Sequence, residues 1–189
     1  MGYTKSMHET SFNRTIRDYL TGEDLDETTY EEFRQALARM LVEERGYPKD
    51  RLKSKVAVVF PIDGKDYARV VDLVAYGDDG RAIFLLFFAA GTPSTFDREI
   101  VSAARLFPGG PAPLVAVTDT KDAVLQETAT GTCLATGMEA VPRWGRLLDL
   151  VKKHPAPDMT EARIEKERRI LFAYSEYLQG GCGSSACPL

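Results

Sequence analysis

The stretch of sequence that decides the fold is KSKVAVVFPIDGKDYARVVDLVAYGDDGRAIFLLFFAA, residues 53–90. It holds three apolar runs, which are separated by the turn pairs Asp63-Gly64 and Asp79-Gly80. Asp-Gly between apolar runs is a strong hairpin signal, because the tightest hairpin turns require positive φ angles. The sequence therefore predicts an antiparallel meander of three strands, over residues 53–61, 67–76 and 83–90.

The third run continues into a segment without charge, since residues 82–96 include no Asp, Glu, Lys or Arg. A wholly apolar strand is typical of a central position that is covered on both faces of a sheet. Ser94 and Asp97 form a cap pair that predicts a helix over residues 95–106, and a short strand is expected at 114–118. This strand, helix, strand order predicts a crossover and a parallel pair of strands. Another strand is expected at 123–128.

A helix is predicted before the meander, over residues 30–45. Thr29 and Glu32 have the spacing of a capping box, and Gly46 and Pro48 are stop signals. Apolar residues at helical spacing predict the buried stripe Tyr30, Phe33, Leu37, Met40 and Leu41.

The two ends of the chain are expected to be less regular than its centre. Residues 1–26 are predicted to be an irregular arm with one short helical turn at 12–20. Helices are expected at 144–153 and 160–178, and the second is charged in its first half, so it is expected to dock only by its aromatic end. The predicted organisation is an arm (1–28), an α/β core (29–142), C-terminal helices (143–178) and a flexible tail (179–189).

Composition narrows the function classes. The chain has 189 residues, of which 44% are hydrophobic, so one globular domain is expected. Its 24 basic and 28 acidic residues give a net charge of -4, which disfavours a protein that binds nucleic acid through charge alone. Three cysteines, no apolar run of spanning length and no signal-like N-terminus favour a cytoplasmic protein without a membrane segment.

Three segments carry a resemblance to a known family: EEFRQALARMLVEERGYPKDRL (31–52), RVVDLVAYGDDGR (69–81) and LVAVTDTKDAVLQETATG (114–131). Over residues 30–142 the chain resembles the N-terminal nuclease domain of type I restriction enzyme R subunits, within the PD-(D/E)xK nuclease superfamily. The resemblance implies a restriction-endonuclease-like α/β core of helix, three-stranded meander, crossover helix and fourth strand. It also implies a Mg²⁺ site made by an Asp on the second strand and a Glu-x-Lys on the third.

Asp72 matches the first carboxylate of this pattern, and Glu32 and Gln35 lie where the family has polar residues on its first helix. The Glu and Lys would fall on Phe87 and Ala89. Because residues 82–96 carry no charge, every alignment of Glu-x-Lys with this strand fails. The resemblance therefore implies a remnant of a nuclease site in which no catalytic set is intact and no metal or other cofactor is expected.

One observation keeps an active enzyme open as an alternative. Asp97 and Glu99 begin the crossover helix, and Glu99 could replace the missing acid, with Mg²⁺ held by Asp72 and Glu32. Acids also stabilise a helix N-terminus electrostatically, and no replacement for the lysine is evident.

Other candidates have structural interpretations beside the functional ones. Cys182 and Cys187 could bind zinc or form a disulfide, but a reduced flexible tail is the simpler interpretation. Cys133 is expected to be a packed or idle thiol and not a nucleophile. Arginines on the two core helices could contact phosphates or pair with nearby acids: Arg34, Arg39, Arg98 and Arg105.

Three functions follow. The first is a catalytically degenerate binding or regulatory module in a restriction-type or nucleic-acid context. The second is an active Mg²⁺-dependent endonuclease, and the third is a protein-interaction or assembly module, with a protein partner or a second copy. The first predicts that Phe87 or Phe88 fills the space of the metal, and that Asp72 pairs with Lys55 or Arg69 or stays protonated. The sequence identifies no partner.

Overall fold

The computed structural model of the protein describes residues 10–180, and side chains as far as residue 174. Eight strands are present: β1 (Ser11–Arg17), β2 (Asp24–Thr28), β3 (Leu52–Ile62), β4 (Lys65–Tyr76), β5 (Ala82–Phe88), β6 (Leu114–Thr118), β7 (Ala123–Glu127) and β8 (Cys133–Thr136). The α-helices are α1 (Thr29–Arg39), α2 (Asp97–Arg105), α3 (Trp144–Lys153) and α4 (Glu161–Gly180). The predicted α/β class is confirmed.

Strands β3 to β8 form one six-stranded mixed sheet in which each strand pairs with its neighbours in the sequence. The three meander strands β3, β4 and β5 pair antiparallel, as predicted from the two Asp-Gly turns. Strand β6 pairs with β5 in parallel, which confirms the crossover through α2. Strands β7 and β8 extend the sheet antiparallel; β8 was not predicted, because it is short and only partly buried.

Helices cover both faces of the sheet. On one face, α1 and α3 bury Leu37 and Leu147 against Leu73 of β4. On the other face, α2 and α4 bury Ile100 and Leu171 in a second apolar cluster. Strand β5 is buried along nearly its whole length, because its side chains feed both clusters. This confirms the prediction of a central strand.

Residues 11–28 of the N-terminal arm are regular, and the prediction of an irregular segment with a helical turn was wrong there. Residues 11–28 form an antiparallel hairpin of β1 and β2. The turn is held by Asp18, whose Oδ1 accepts hydrogen bonds from the backbone N–H groups of Leu20 and Thr21 at 2.8 and 2.9 Å. A side chain that binds its own backbone in this way favours a turn over a helix.

Helix α1 begins one residue earlier than predicted. Its N-cap is Thr28, whose hydroxyl accepts a hydrogen bond from the Glu31 N–H at 3.1 Å. Its last part is a π-helical turn, Met40–Glu44. Phe33 is 43% exposed, so the predicted apolar stripe was wrong at this position. The second helix also differs: Pro93–Phe96 is a 3₁₀ turn, and no side chain caps α2.

The C-terminal helix docks through its charged half as well as its aromatic half, contrary to the prediction. Glu167 is 2% exposed and accepts hydrogen bonds from Arg98, Ser102 and Arg105 of α2. Its carboxylate supplies the partner that buried arginine needs, so a charged face becomes an interface. The side chain of Tyr177 and the tail with Cys182 and Cys187 lie outside the described residues.

Candidate remnant of a metal site

Asp72 lies near the end of β4 and is only 2% exposed. Its Oδ2 accepts a hydrogen bond from the backbone N–H of Phe88 at 2.7 Å. Burial raises the pKa of Asp72 to about 7, although the hydrogen bond from Phe88 acts in the opposite direction. Near neutral pH this carboxyl is therefore partly protonated, unlike the carboxylate of an ordinary cation site.

The backbone around Asp72 is irregular, because β3 and β4 exchange faces there. Leu52 and Val58 of β3 are six residues apart, so in a regular strand their side chains would lie on the same face. Leu52 instead belongs to the apolar cluster under α1 and Val58 to the cluster under α2. Lys55 lies between them, with a φ of 55°, and such a conformation costs a residue other than glycine about 1–3 kcal/mol. The pairs Ser54–Leu73 and Val56–Val71 flank Lys55 and Asp72, so these two residues oppose each other.

The irregularity changes the neighbours that were predicted for Asp72. Strict alternation placed Val70 and Val74 on its face. In the structure, Val71 joins Val74 in the cluster under α2, while Leu73 joins the cluster under α1. Asp72 therefore lies where the alternation breaks, and no pattern of alternating residues in the sequence reveals such a break.

The predicted cation partners of Asp72 bind other acids. Lys55 pairs with Glu31 of α1. Arg69 pairs with Glu99 of α2, with 2.5 Å between Arg69 Nε and Glu99 Oε1. Within residues 10–174, no lysine or arginine forms an ion pair with Asp72.

Phe87 and Ala89, the positions matched to Glu-x-Lys, both lie in the apolar cluster under α2. Phe87 is fully buried, and the guanidinium of Arg69 lies 5.1 Å from the centre of its ring. Ala89 follows the end of β5 and donates a backbone hydrogen bond to the carbonyl of Thr118 at 3.0 Å. Leu86 pairs with Leu73, so by register Phe87 lies across the sheet from Asp72, at the position where the resemblance implies a second acid.

The buried acid of the first helix is Glu31, which the sequence analysis did not single out, whereas Glu32 is exposed. Glu31 is 3% exposed, and its Oε2 accepts a hydrogen bond from Arg34 Nε at 2.8 Å. Gln35 is buried, and its side-chain amide binds the N-terminal hairpin: Gln35 Oε1 accepts a hydrogen bond from the Tyr19 N–H at 2.7 Å. The spacing of Glu31, Arg34 and Gln35 along one helix face was the signal that could have identified Glu31.

Arg34 is the centre of this buried charged cluster. Its guanidinium is fully buried and binds Glu31 and Asp18. Burial alone would raise the pKa of Asp18, but the Thr21 N–H and Arg34 lower it to about 2. Two carboxylates, Arg34 and Lys55 thus balance one another, and the cluster fastens the hairpin to α1.

Glu99, the candidate migrated acid, is fully buried and is engaged by Arg69. The other arginines of the core helices behave in the same structural way: Arg98 and Arg105 pair with Glu167. Arg39 lies over the ring of Tyr19, at 4.9 Å from its centre.

The described residues hold neither a cluster of metal ligands nor a membrane-spanning helix. Among residues 10–174, no three His, Cys, Asp or Glu side chains are grouped so that they could hold a metal ion. No helix in the described part of the chain is both long enough and apolar enough to cross a membrane. Cys133 is exposed and forms no disulfide bond.

Comparison with family models supplies the family. The model described as the N terminus of type I restriction enzyme R proteins matches residues 29–142, more than half of the chain. The chain belongs to this family. The match spans α1, the meander, the crossover and strands β6 to β8, and it includes Asp72, Glu31 and Lys55. Searches among curated proteins and among solved structures gave no match.

Proposed function

We propose that this member of the type I restriction enzyme R N-terminal family keeps a restriction-endonuclease-like scaffold as a binding or regulatory module and does not hydrolyse nucleic acid. The observation that carries the proposal is the environment of Asp72. Its carboxyl is 2% exposed, is bound to the Phe88 N–H and has a pKa raised to about 7. A catalytic carboxylate must instead be ionised and open to a metal ion.

The other side chains that a metal would need are engaged elsewhere. Mg²⁺ requires near-octahedral oxygen ligands at about 2.0–2.1 Å, usually one or two carboxylates together with water and phosphate oxygens. Glu31 is bound by Arg34 and Lys55, and Glu99 is bound by Arg69. Phe87, which lies across the sheet from Asp72 by register, is apolar and fully buried, so the residues present do not fit the ion.

An exposed aromatic surface supports a binding role. Phe33 is 43% exposed and stacks on Phe88, with 4.9 Å between ring centres, while Tyr30 meets Phe88 edge-on at 6.1 Å. Exposed aromatic rings are stacking surfaces for unpaired bases and anchoring residues in protein interfaces. The net charge of -4 favours a contact of this kind over binding by charge alone.

A nicking assay on supercoiled plasmid tests the absence of hydrolysis. The full chain is incubated with Mg²⁺ or Mn²⁺ beside Asp72→Ala and a buffer blank. We expect no nicking above the blank that depends on Asp72. Cleavage by the native chain that Asp72→Ala abolishes would overturn the proposal.

Fluorescence anisotropy with single- and double-stranded DNA over a range of salt concentrations then separates the partner classes. Tight binding that weakens with salt indicates nucleic acid, and loss of binding in Phe33→Ser assigns it to the aromatic surface. Absence of DNA binding favours a protein partner or a second copy, which light scattering detects.

A second candidate, an active Mg²⁺-dependent nuclease, is favoured by one observation. Lys55 opposes Asp72 on the neighbouring strand and pairs with Glu31, so an acid and a lysine lie near the retained Asp. This set replaces the earlier one, because Glu32 is exposed and Glu99 is engaged by Arg69. In the nicking assay, this candidate requires that Glu31→Gln and Lys55→Met each abolish cleavage together with Asp72→Ala.

A further inference from the structure

A polar cleft that is open to solvent lies between the start of α2 and the turn that joins β7 to β8. Its volume is about 450 Å³, and its walls include Asp97, Arg98, Arg105, Gln126 and Gly131. This volume is within the range of sites that hold small organic ligands, about 300–1,000 Å³. None of these residues belongs to the set around Asp72.

Two hydrogen-bond acceptors in the walls are left without partners. Gln126 is 4% exposed, and its Nε2 donates to the carbonyl of Gly131 at 3.3 Å, which fixes the orientation of the amide. Within the described part of the chain, Gln126 Oε1 and Asp97 Oδ1 are buried and accept no hydrogen bond. An unsatisfied buried polar atom destabilises the fold, so a donor that reaches these two atoms is favoured.

The cations of the cleft do not supply these missing bonds. Arg105 donates to the carbonyls of Thr128 and Ala129 at 2.9 and 3.1 Å and to Glu167 at 2.8 Å. Arg98 also binds Glu167, and its side chain is 38% exposed, so water screens its charge. The hydrogen bonds of Arg105 attach the turn after β7 to α2. Asp97, in contrast, forms no ion pair with any described residue. Burial accordingly raises the pKa of Asp97.

We propose that this cleft binds a guanidinium or primary ammonium group, which donates hydrogen bonds to Asp97 Oδ1 and Gln126 Oε1. Both vacant atoms are acceptors, so the ligand must donate, and a carboxylate favours a cationic donor through charge-assisted bonds. The group comes either from a small free amine or guanidine, or from an arginine or lysine side chain of a partner chain. The proposal is independent of the function proposed above.

Isothermal titration calorimetry on the full chain tests it with butylguanidinium, butylammonium and the neutral analogue butylurea. We expect saturable binding of at least one cation and at least tenfold weaker binding of butylurea. No saturation by either cation at millimolar concentrations, or equal binding of butylurea, would overturn the proposal, because water then serves the two acceptors. Acetyl-arginine methylamide, the peptide form, distinguishes the sources: tighter binding than butylguanidinium indicates a partner's side chain, and weaker binding indicates a free ligand.

Substitutions locate the site. Asp97→Asn removes the charge at constant shape, and Gln126→Met removes the carbonyl. Each is expected to weaken cation binding at least tenfold, whereas Asp158→Asn, on an exposed acid outside the cleft, is expected to leave it unchanged. Undiminished binding to both folded cleft variants would refute the assignment. If either variant fails to fold, the comparison of cations with butylurea on the native chain still decides.

Discussion

The carboxylate of Asp72 on β4 accepts a hydrogen bond from the backbone N–H of Phe88, the last residue of β5, at 2.7 Å. This bond joins the second and third strands of the meander at the position where the nuclease resemblance implies a metal ligand. Since the side chain is buried, the bond solvates the carboxyl only in part, and its pKa is raised to about 7. Under the proposed function, Asp72 is a structural residue of the meander.

Substitution Asp72→Asn is predicted to flatten the dependence of stability on pH. With a folded pKa of about 7 against an ordinary 3.8, the folded chain keeps a proton that the unfolded chain loses between these values. The stability of the native chain therefore falls as pH rises through this window, by roughly 4 kcal/mol at about 1.4 kcal/mol per pKa unit. Asn cannot ionise, so the free energy of unfolding of the variant should rise relative to that of the native chain between about pH 4 and pH 8. Urea unfolding at several pH values measures this difference.

Asp158→Asn is the control for this experiment, because Asp158 is exposed. It is expected to follow the pH dependence of the native chain. If Asp72→Asn follows the native curve as well, the carboxyl of Asp72 is not raised in pKa and the account of its burial is wrong.

Substitution Phe87→Ala is predicted to lower the pKa of Asp72. The ring is fully buried, so its removal costs about 3–5 kcal/mol and opens space beside the carboxyl that water can enter. Phe84→Ala is the matched control, since Phe84 is 1% exposed on the same strand but lies in the cluster under α1. Carboxyl ¹³C NMR titration is the measurement. An equal effect of the two substitutions on the pKa of Asp72 would show that Phe87 is not what excludes water.

Substitution Arg34→Met is predicted to destabilise the chain by about 3–5 kcal/mol, because it leaves Asp18 and Glu31 buried without their shared cation. Arg14→Met removes an ion pair with Glu27 whose arginine is 66% exposed, and little change is expected there. Urea unfolding of both variants measures the contrast. A similar small effect of both would mean that the buried cluster does not hold the hairpin to α1.

Substitution Glu167→Gln is predicted to loosen α4 from α2 at a cost of about 2 kcal/mol, because Arg98 and Arg105 lose a charged acceptor. Burial would raise the pKa of Glu167, but Arg98, Ser102 and Arg105 lower it overall. Its contribution is therefore complete above the ordinary value of 4.5 and is lost as pH falls, so the cost of the substitution should shrink in acid. Hydrogen exchange of α4 amides measures this, with Glu165→Gln, on a half-exposed acid, as the control. Equal exchange in both variants at neutral pH would contradict the prediction.

The sequence predicted the sheet well where local chemistry determines it. The Asp-Gly pairs fixed the two hairpin turns, and the uncharged run of β5 indicated a central strand. The arm was missed because its hairpin depends on the side chain of Asp18, which binds Leu20 and Thr21 locally and Arg34 across the fold. The charged half of α4 was misjudged for a related reason, since Glu167 finds its arginines only in the tertiary structure.

At the candidate site, the sequence identified Asp72 and the uncharged strand beside it, but it did not identify the neighbours of Asp72. The exchange of faces in β3 occurs at Lys55, whose φ is 55°. Lysine rarely adopts a positive φ, so the sequence gives no signal for this backbone conformation. Glu31 was not singled out, because the adjacent acids Glu31 and Glu32 differ only in the phase of the helix, and only the structure shows that Glu31 is the buried one.

The most direct test of the central claim is Mn²⁺ titration of the full chain, observed through the carboxyl ¹³C signal of Asp72 at about pH 8, where this carboxyl is mostly ionised. Bound Mn²⁺ broadens the signals of the carboxylates that hold it. We predict that the Asp72 signal broadens no more than that of exposed Asp158 and that its pKa stays near 7 when Mg²⁺ is added. Selective broadening at Asp72, together with a pKa that Mg²⁺ lowers, would show a working metal site and contradict the account.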